Sequence, residues 1–231
     1  MTDDLAIGDD GKARCFWGGS SPEYATYHDT EWGRVLRGDD AIFERMCLEG
    51  FQSGLSWITI LRKRPAFRAA FSGFLIAKVA EFGDADVQRL LGDAGIVRNR
   101  AKILASVANA KTARGLKGGL SDLVWSFAPA EPGPAPTDTS QVPATTAESA
   151  AMAKALKKAG FAFVGPTTCY ALMQACGLVD DHLADCHARR KTPAVPASAA
   201  TPATPAASAA ATSTASATPA RSAKSVKPAK R

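Results

Sequence analysis

No apolar run in these 231 residues approaches the roughly 18 to 20 that a helix needs to cross a bilayer. The first ten residues are rich in aspartate and lack the basic and apolar regions of a secretory leader, so a cytoplasmic location is expected. Runs that alternate apolar with polar residues are scarce, which argues against extensive sheet. Cysteines number five, at 15, 47, 169, 176 and 186, an odd and irregular set that offers no disulfide framework. In a reducing compartment such thiols are metal-bound, buried or reactive rather than bridged. Acidic residues are absent after position 187, and large apolar side chains nearly so. That final stretch, 188–231, carries eight of the 28 Lys and Arg; the remaining 20 meet all 22 acidic groups in residues 1–187. The formal charge of +6 therefore belongs to the tail and says nothing about whether the folded part binds nucleic acid.

What is there reads as helix. Ile42, Phe43, Met46, Cys47 and Phe51 recur at three- and four-residue spacing, as do Val87, Leu90 and Leu91, and Ile103, Val107 and Ala110. Thr145 and Glu148 have the spacing of a capping box ahead of Ala150 to Ala159, and Gly160 stands at a natural helix end. An all-α fold of roughly seven to nine helices is expected. Residues 1–13 are polar and read as a flexible extension. A folded part is expected over 14–187, with a Pro/Ala-rich linker or surface loop at 128–143. The Ala/Pro/Ser/Thr tail, 188–231, lacks the apolar surface to offset its ordering entropy and is expected to be disordered.

Cys15 and His28 lie near the start of the folded part, His182 and Cys186 near its end. A four-residue step places two side chains on one helical face, which suits His182 and Cys186 as a chelating pair. Two thiolates and two imidazoles make a complete tetrahedral set for Zn2+, with no position left for water, so the site would be structural. His187 could replace His182 in the count, but it adjoins Cys186. Taken singly, each of these residues is also what an ordinary helix might contain. Cys47, Cys169 and Cys176 stand in apolar stretches and read as small core residues.

Between two periodic segments runs Leu90-Leu91-Gly92-Asp93-Ala94-Gly95-Ile96-Val97-Arg98-Asn99-Arg100-Ala101-Lys102-Ile103. Gly95 would let the backbone approach a phosphate, and the following helix N-terminus offers free N–H groups to an anion. Arg98, Arg100 and Lys102 add charge of the kind that holds a duplex without reading its sequence. An ordinary connection with a solvated basic face fits the same residues equally.

Glu49 lies within a mainly apolar run, with Trp57 eight residues on and Trp17, Tyr24, Tyr27 and Trp32 upstream. Three of the four Trp and two of the three Tyr fall between positions 17 and 57. Flat π faces around one carboxylate suit a flat cation, such as an alkylated purine. A hydrophobic core with an exposed Glu is the other reading.

Together these residues resemble the bacterial DNA-3-methyladenine glycosylase I family of the helix-hairpin-helix superfamily. The likeness rests on Tyr27-His28-Asp29-Thr30-Glu31-Trp32-Gly33, Cys47-Leu48-Glu49-Gly50, Gly54-Leu55-Ser56-Trp57-Ile58-Thr59, Ala94-Gly95-Ile96, Val124-Trp125-Ser126-Phe127, Ala155-Leu156-Lys157-Lys158 and Gly160-Phe161 through Gly177-Leu178-Val179. It implies an all-α fold with a zinc ion on Cys15, His28, His182 and Cys186. It implies a pocket where Glu49 hydrogen-bonds a flipped 3-methyladenine, Trp57 stacks on it, and Tyr27, Trp32, Tyr24 and Trp17 form the walls. Gly54 and Leu55 match a loop that fills the gap left by the flipped nucleotide. The reaction implied is hydrolysis of the N-glycosidic bond in double-stranded DNA, without strand cleavage, by a protein acting as a monomer. Asp122 is given no catalytic role.

Two rival classes remain at this level. A zinc-stabilised DNA-binding protein would need the hairpin and the metal but have no use for Glu49 beside Trp57. A zinc hydrolase would need an open coordination position, which a Cys2His2 set lacks.

Overall fold

The computed structural model describes residues 4–190. Nine α-helices are present among the described residues: α1 Pro22–Thr30, α2 Asp39–Gln52, α3 Trp57–Ala70, α4 Ile76–Val79, α5 Asp84–Gly92, α6 Arg100–Arg114, α7 Leu120–Trp125, α8 Ala147–Ala159 and α9 Pro166–Ala175. The helix-rich architecture agrees with the expectation, and no helix is long and apolar enough to cross a membrane among the described residues. The basic stretch from 191 to 231, and with it most of the expected tail, lies outside the described residues, as do residues 1–3.

Local signals set the helix ends. Ser21 accepts a hydrogen bond from Tyr24 N at 3.2 Å ahead of Pro22, the first residue of α1. Asn99 caps α6 by accepting from Lys102 N at 3.1 Å. The capping box of α8 is formed by Thr146 and Ser149, one residue later than the expected Thr145–Glu148 pair. A hydroxyl of Ser149 reaches back to the cap N–H as Glu would, so residue spacing alone had favoured the wrong register. Gly160 closes α8 at φ 103°, as expected.

α2 is the central helix, packing against α3, α6, α7 and α9. Nine of its fourteen residues are buried. Phe43, Phe51, Phe67, Phe71 and Phe74 are fully enclosed, with the rings of Phe71 and Phe74 stacked 5.2 Å apart. Such interdigitation makes α2 a rigid platform for whatever it carries. Cys47, Cys169 and Cys176 are buried in this core.

Two expectations need correction. The extension read as flexible carries strand β1, Leu5–Ile7, paired antiparallel with β2, Ala13–Cys15. Its turn contains Asp10-Gly11, with Gly11 at φ 73°, a hairpin signal that so short a strand pair hides from periodicity. Arg14 locks the hairpin down, bonded to Asp10 at 2.8 and 2.7 Å and to Asp29 at 2.8 Å. At the other end, ordered structure continues past 187 to Arg190, whose Nε reaches Asp180. The segment 128–143 includes a 3-10 turn at Thr139–Gln141 and is tied to both ends of the fold: Ala184 N donates to Pro136 O at 2.8 Å, and Thr139 Oγ1 to Asp4 Oδ1 at 2.7 Å.

Candidate active site

A cavity of about 560 Å³ opens between α1, α2, the start of α3 and the segment around Thr139. Its wall includes Trp17, Tyr24, Tyr27, Trp32, Glu49 and Trp57, so the structure gathers every aromatic residue singled out in the sequence around the one carboxylate. Glu49 is 6% exposed and has no hydrogen-bond partner among the described residues. Burial pushes its carboxyl up to about 8, against a smaller opposing pull from Arg45. Arg45, one turn earlier on α2, is engaged elsewhere: it pairs with Glu31, which also takes a two-point bond from Arg64 at 2.6 and 2.7 Å. The Glu49 carboxyl is therefore left to face the cavity.

The aromatic wall is ordered by mutual packing. Trp17 meets Trp32 edge-on at 4.9 Å and Tyr24 at 5.6 Å, while Tyr27 and Trp57 lie 5.3 Å apart. Tyr24 has a second duty, because its hydroxyl accepts from Ile58 N at 2.9 Å and so caps the start of α3, where Trp57 is the first residue. The indole N–H of Trp57 is buried with no partner among the described residues. Burial and the nearby Glu49 push the Tyr27 hydroxyl well above its ordinary range.

Beside this wall, Cys15, His28 and Cys186 bring their ligand atoms within 4.8 Å of one another. His28 Nε2 is 3.4 Å from Cys186 Sγ, and its Nδ1 is held by Asp29 at 2.9 Å. His182 adjoins the group, with its ring edge-on to that of His28 at 4.6 Å and its Nδ1 held by Asp180 at 2.6 Å. Each imidazole is thus oriented by a carboxylate on Nδ1; Nε2 of His28 faces Cys186 Sγ, whereas Nε2 of His182 lies 3.3 Å from the backbone oxygen of His28. Contacts from Cys15 and His28 favour the thiolate of Cys186, whereas the Cys15 thiol is pushed up. The rings fit against glycines: a Cβ on Gly18 would stand 2.6 Å from the ring of His28, and one on Gly33 would stand 2.9 Å from that of His182. His182 and Cys186 do not share a helix: residues 181–190 are irregular, with turns at 184–185 and 187–188. The expected helical face is replaced by a turn that doubles back on Cys15, where Leu183 N donates to Cys15 Sγ at 3.4 Å. His187 bonds Asp29 instead, at 2.9 Å.

The basic run forms a turn between α5 and α6. Arg98 and Arg100 are exposed there. Lys102 is not: it is 9% exposed, and its ammonium donates to Phe51 O at 2.9 Å and Ser53 O at 2.6 Å. Its expected place as a phosphate contact is thereby corrected, because the ammonium is already taken up by these two carbonyls. Gly95 serves a different close approach from the one expected, since a Cβ there would lie 2.9 Å from Cβ of Ala66 on α3. Across from this turn, Gly54 adopts φ 81° and Leu55 is 42% exposed in the tight connection between α2 and α3.

A family model for methyladenine glycosylases matches residues 17–190. The chain belongs to the methyladenine glycosylase family. It is 48% identical over 177 residues to DNA-3-methyladenine glycosylase 1 of Escherichia coli (strain K12), covering 75% of this chain and 95% of that protein. A crystal structure of 3-methyladenine DNA glycosylase I is similar with a TM-score of 0.74 and 44% identity, covering 77% of this chain and all of that one. A structure of the Staphylococcus aureus glycosylase I, solved for its recognition of 3-methyladenine, is 35% identical with a TM-score of 0.72, covering 76% of this chain and 95% of that one.

Within this member of the family, several wall residues were not singled out as site residues in the sequence. Gln52, Ser56, Gln174 and Asp181 line the cavity, as do Thr139 and Val142 from the segment read as a linker. Asp181 accepts from Tyr170 Oη at 2.7 Å and from Gln174 Nε2 at 2.8 Å. Its position beside His182 was a usable signal, because the turn that brings His182 to the cluster brings its neighbour to the cavity. Thr139 and Val142 offered none.

Proposed function

We propose that this glycosylase excises 3-methyladenine from double-stranded DNA by hydrolysing its N-glycosidic bond after flipping the nucleotide into the aromatic cavity. The observation that carries the reading is Glu49, a buried carboxyl without a protein partner, facing a space walled by Trp17, Tyr24, Tyr27, Trp32 and Trp57. N3-methylation makes the base of a nucleotide cationic. Aromatic faces favour such a cation by roughly 0.5–2 kcal/mol, and a carboxylate adds a charge-assisted hydrogen bond. Neutral adenine receives less of both.

Glu49 recognises the base and Trp57 stacks on it, with the other four rings closing the pocket. When the bond between C1′ and the base nitrogen breaks, its electron pair returns to the base, which leaves neutral. A water oxygen adds to C1′ and its proton passes to solvent. The lesion carries its own positive charge, so protonation of the leaving group is not needed, and positioning with electrostatic support of the sugar cation does the rest. The described wall carries no lysine to form an imine, which supports hydrolysis without strand cleavage.

The turn at 93–99 acts as the hairpin of a helix-hairpin-helix element, with Arg98, Arg100 and the start of α6 against the DNA backbone and Gly95 packed on α3. Gly54 and Leu55 enter the vacated stack. Zinc fits the Cys15, His28, His182 and Cys186 donor set, with both imidazoles oriented by carboxylates. It would be structural, fastening the N-terminal segment to residues 182–186. The unit proposed to do this work is 14–187, extended by the strand pair that begins at Leu5 and by the contacts of Arg190, in the cytoplasm with the DNA.

Chromatography of bases released from methylated DNA tests the reading. Wild type should liberate 3-methyladenine, and Glu49→Gln should liberate it more slowly with weaker discrimination against adenine. Duplex binding without base release would favour a non-catalytic DNA-binding protein instead.

A further inference from the structure

The connection between α2 and α3 has one bond of its own, from Leu55 N to Gln52 O at 2.6 Å, and no side-chain cap at the end of α2. α2 has no basic residue in its last turn, and Ser53 follows it at φ −46° and ψ 116°. A helix end leaves carbonyls unpaired and a partial negative charge. Both needs are met from another helix. Lys102, third residue of α6, donates to the carbonyls of Phe51 and Ser53. A reciprocal tie runs the other way: Lys63, on α3, donates from Nζ to the carbonyls of Ala94 and Gly95 in the hairpin, both at 3.1 Å. Between these ties Gly95 lies against Ala66 with no room for a side chain. The start of the Leu55 turn is thus tied to α6 by Lys102, and the hairpin that precedes α6 is tied to α3, which follows that turn, by Lys63 and by the Gly95–Ala66 contact.

We propose that Lys102, with Lys63, is a positioning residue that holds the Leu55 turn in fixed register with the hairpin, so that the hairpin's grip on the duplex determines where Leu55 enters the base stack. This rests on the reading above, in which the hairpin binds DNA and Leu55 fills the gap. An ammonium has three donors and reaches two carbonyls at once, which an apolar side chain at this site would not do. The joint acts through Leu55 and touches neither the base nor, for Lys102, a phosphate.

The test is a double-mutant cycle on single-turnover release of 3-methyladenine from a duplex, using wild type, Lys102→Met, Leu55→Ala and the double variant. A misplaced wedge should slow Lys102→Met about tenfold or more in the wild-type background, and far less when Leu55 is already alanine. The salt dependence of duplex binding should be unchanged, and so should the affinity for free 3-methyladenine. Equal effects in both backgrounds, a wild-type rate, or a shallower salt dependence from loss of a phosphate contact would each overturn the inference. Should Lys102→Met not fold, Lys63→Met repeats the cycle from the outer side of the joint, and its additivity with Leu55→Ala decides the matter. If wild type releases no 3-methyladenine, the glycosylase reading itself falls, and this inference with it.

Discussion

Glu49 is the residue at which stability and recognition oppose one another. Its carboxyl is raised from 4.5 to about 8, so the folded protein holds a proton there that the unfolded chain has released. The folded state binds more protons between these values, and stability falls as pH rises through that window, by about 1.4 kcal/mol per pH unit at most. Glu49→Gln removes the penalty. Thermal melts should therefore show the variant gaining on wild type from pH 5 to pH 8; a constant difference would contradict the assigned environment. The same group governs activity in the opposite sense. If the ionised carboxylate recognises the cationic base, kcat/KM on methylated DNA should climb with pH until about 8 in wild type, and that limb should be missing from Glu49→Gln. Glu49 could be picked out in the sequence because a carboxylate stood among apolar and aromatic neighbours. Asp181 had only its place beside His182 to mark it, and Gln174 had nothing, because its contact with Asp181 is made only by the folded chain.

Among the elements, the hairpin divides its basic residues by direction. Arg98 and Arg100 face solvent, and replacing both with alanine should reduce the salt dependence of duplex binding by about one to two phosphate equivalents. A slope equal to that of wild type would remove them from the interface. Gly95→Ala should cost about 1–3 kcal/mol in a denaturant titration, because the new methyl group meets Ala66 at 2.9 Å. Helical periodicity revealed α2, α5 and α6, and residue type revealed the turn. It could not separate Lys102 from its neighbours, since an inward lysine and an outward one are the same letter. What decides the direction is the uncapped end of α2, fifty residues away in the chain.

In the molecule as a whole, the Cys/His cluster joins parts that the chain keeps far apart. Cys186→Ser should lose bound zinc by elemental analysis and lower the melting temperature by roughly 5–10 °C, the shift expected from about 2–4 kcal/mol in a chain of this size. Full metal content in that variant would refute the ligand set. Four candidate ligands stood out because His and Cys are few; three of them, Cys15, His28 and Cys186, converge within 4.8 Å, and the shared helix imagined for His182 and Cys186 was not the geometry adopted. Spacing by four residues suits a turn as well as a helix, and the short strand pair that presents Cys15 was too small for periodicity to register. The segment 128–143 was read by its composition as a connector; its anchoring to Asp4 and Ala184 makes it a wall of the cavity.

One side of that cavity comes from residues 17–57 and the opposite side from 139–183. During synthesis the first half emerges well before the second, and Trp17, His28 and Trp32 wait for Asp181, His182 and Cys186 to leave the ribosome. A nascent or truncated chain ending before that point carries the carboxylate and most of the rings but lacks the surface that encloses them. Premature termination should thus yield a catalytically silent fragment, and commitment to repair is deferred until translation of the folded part is nearly complete.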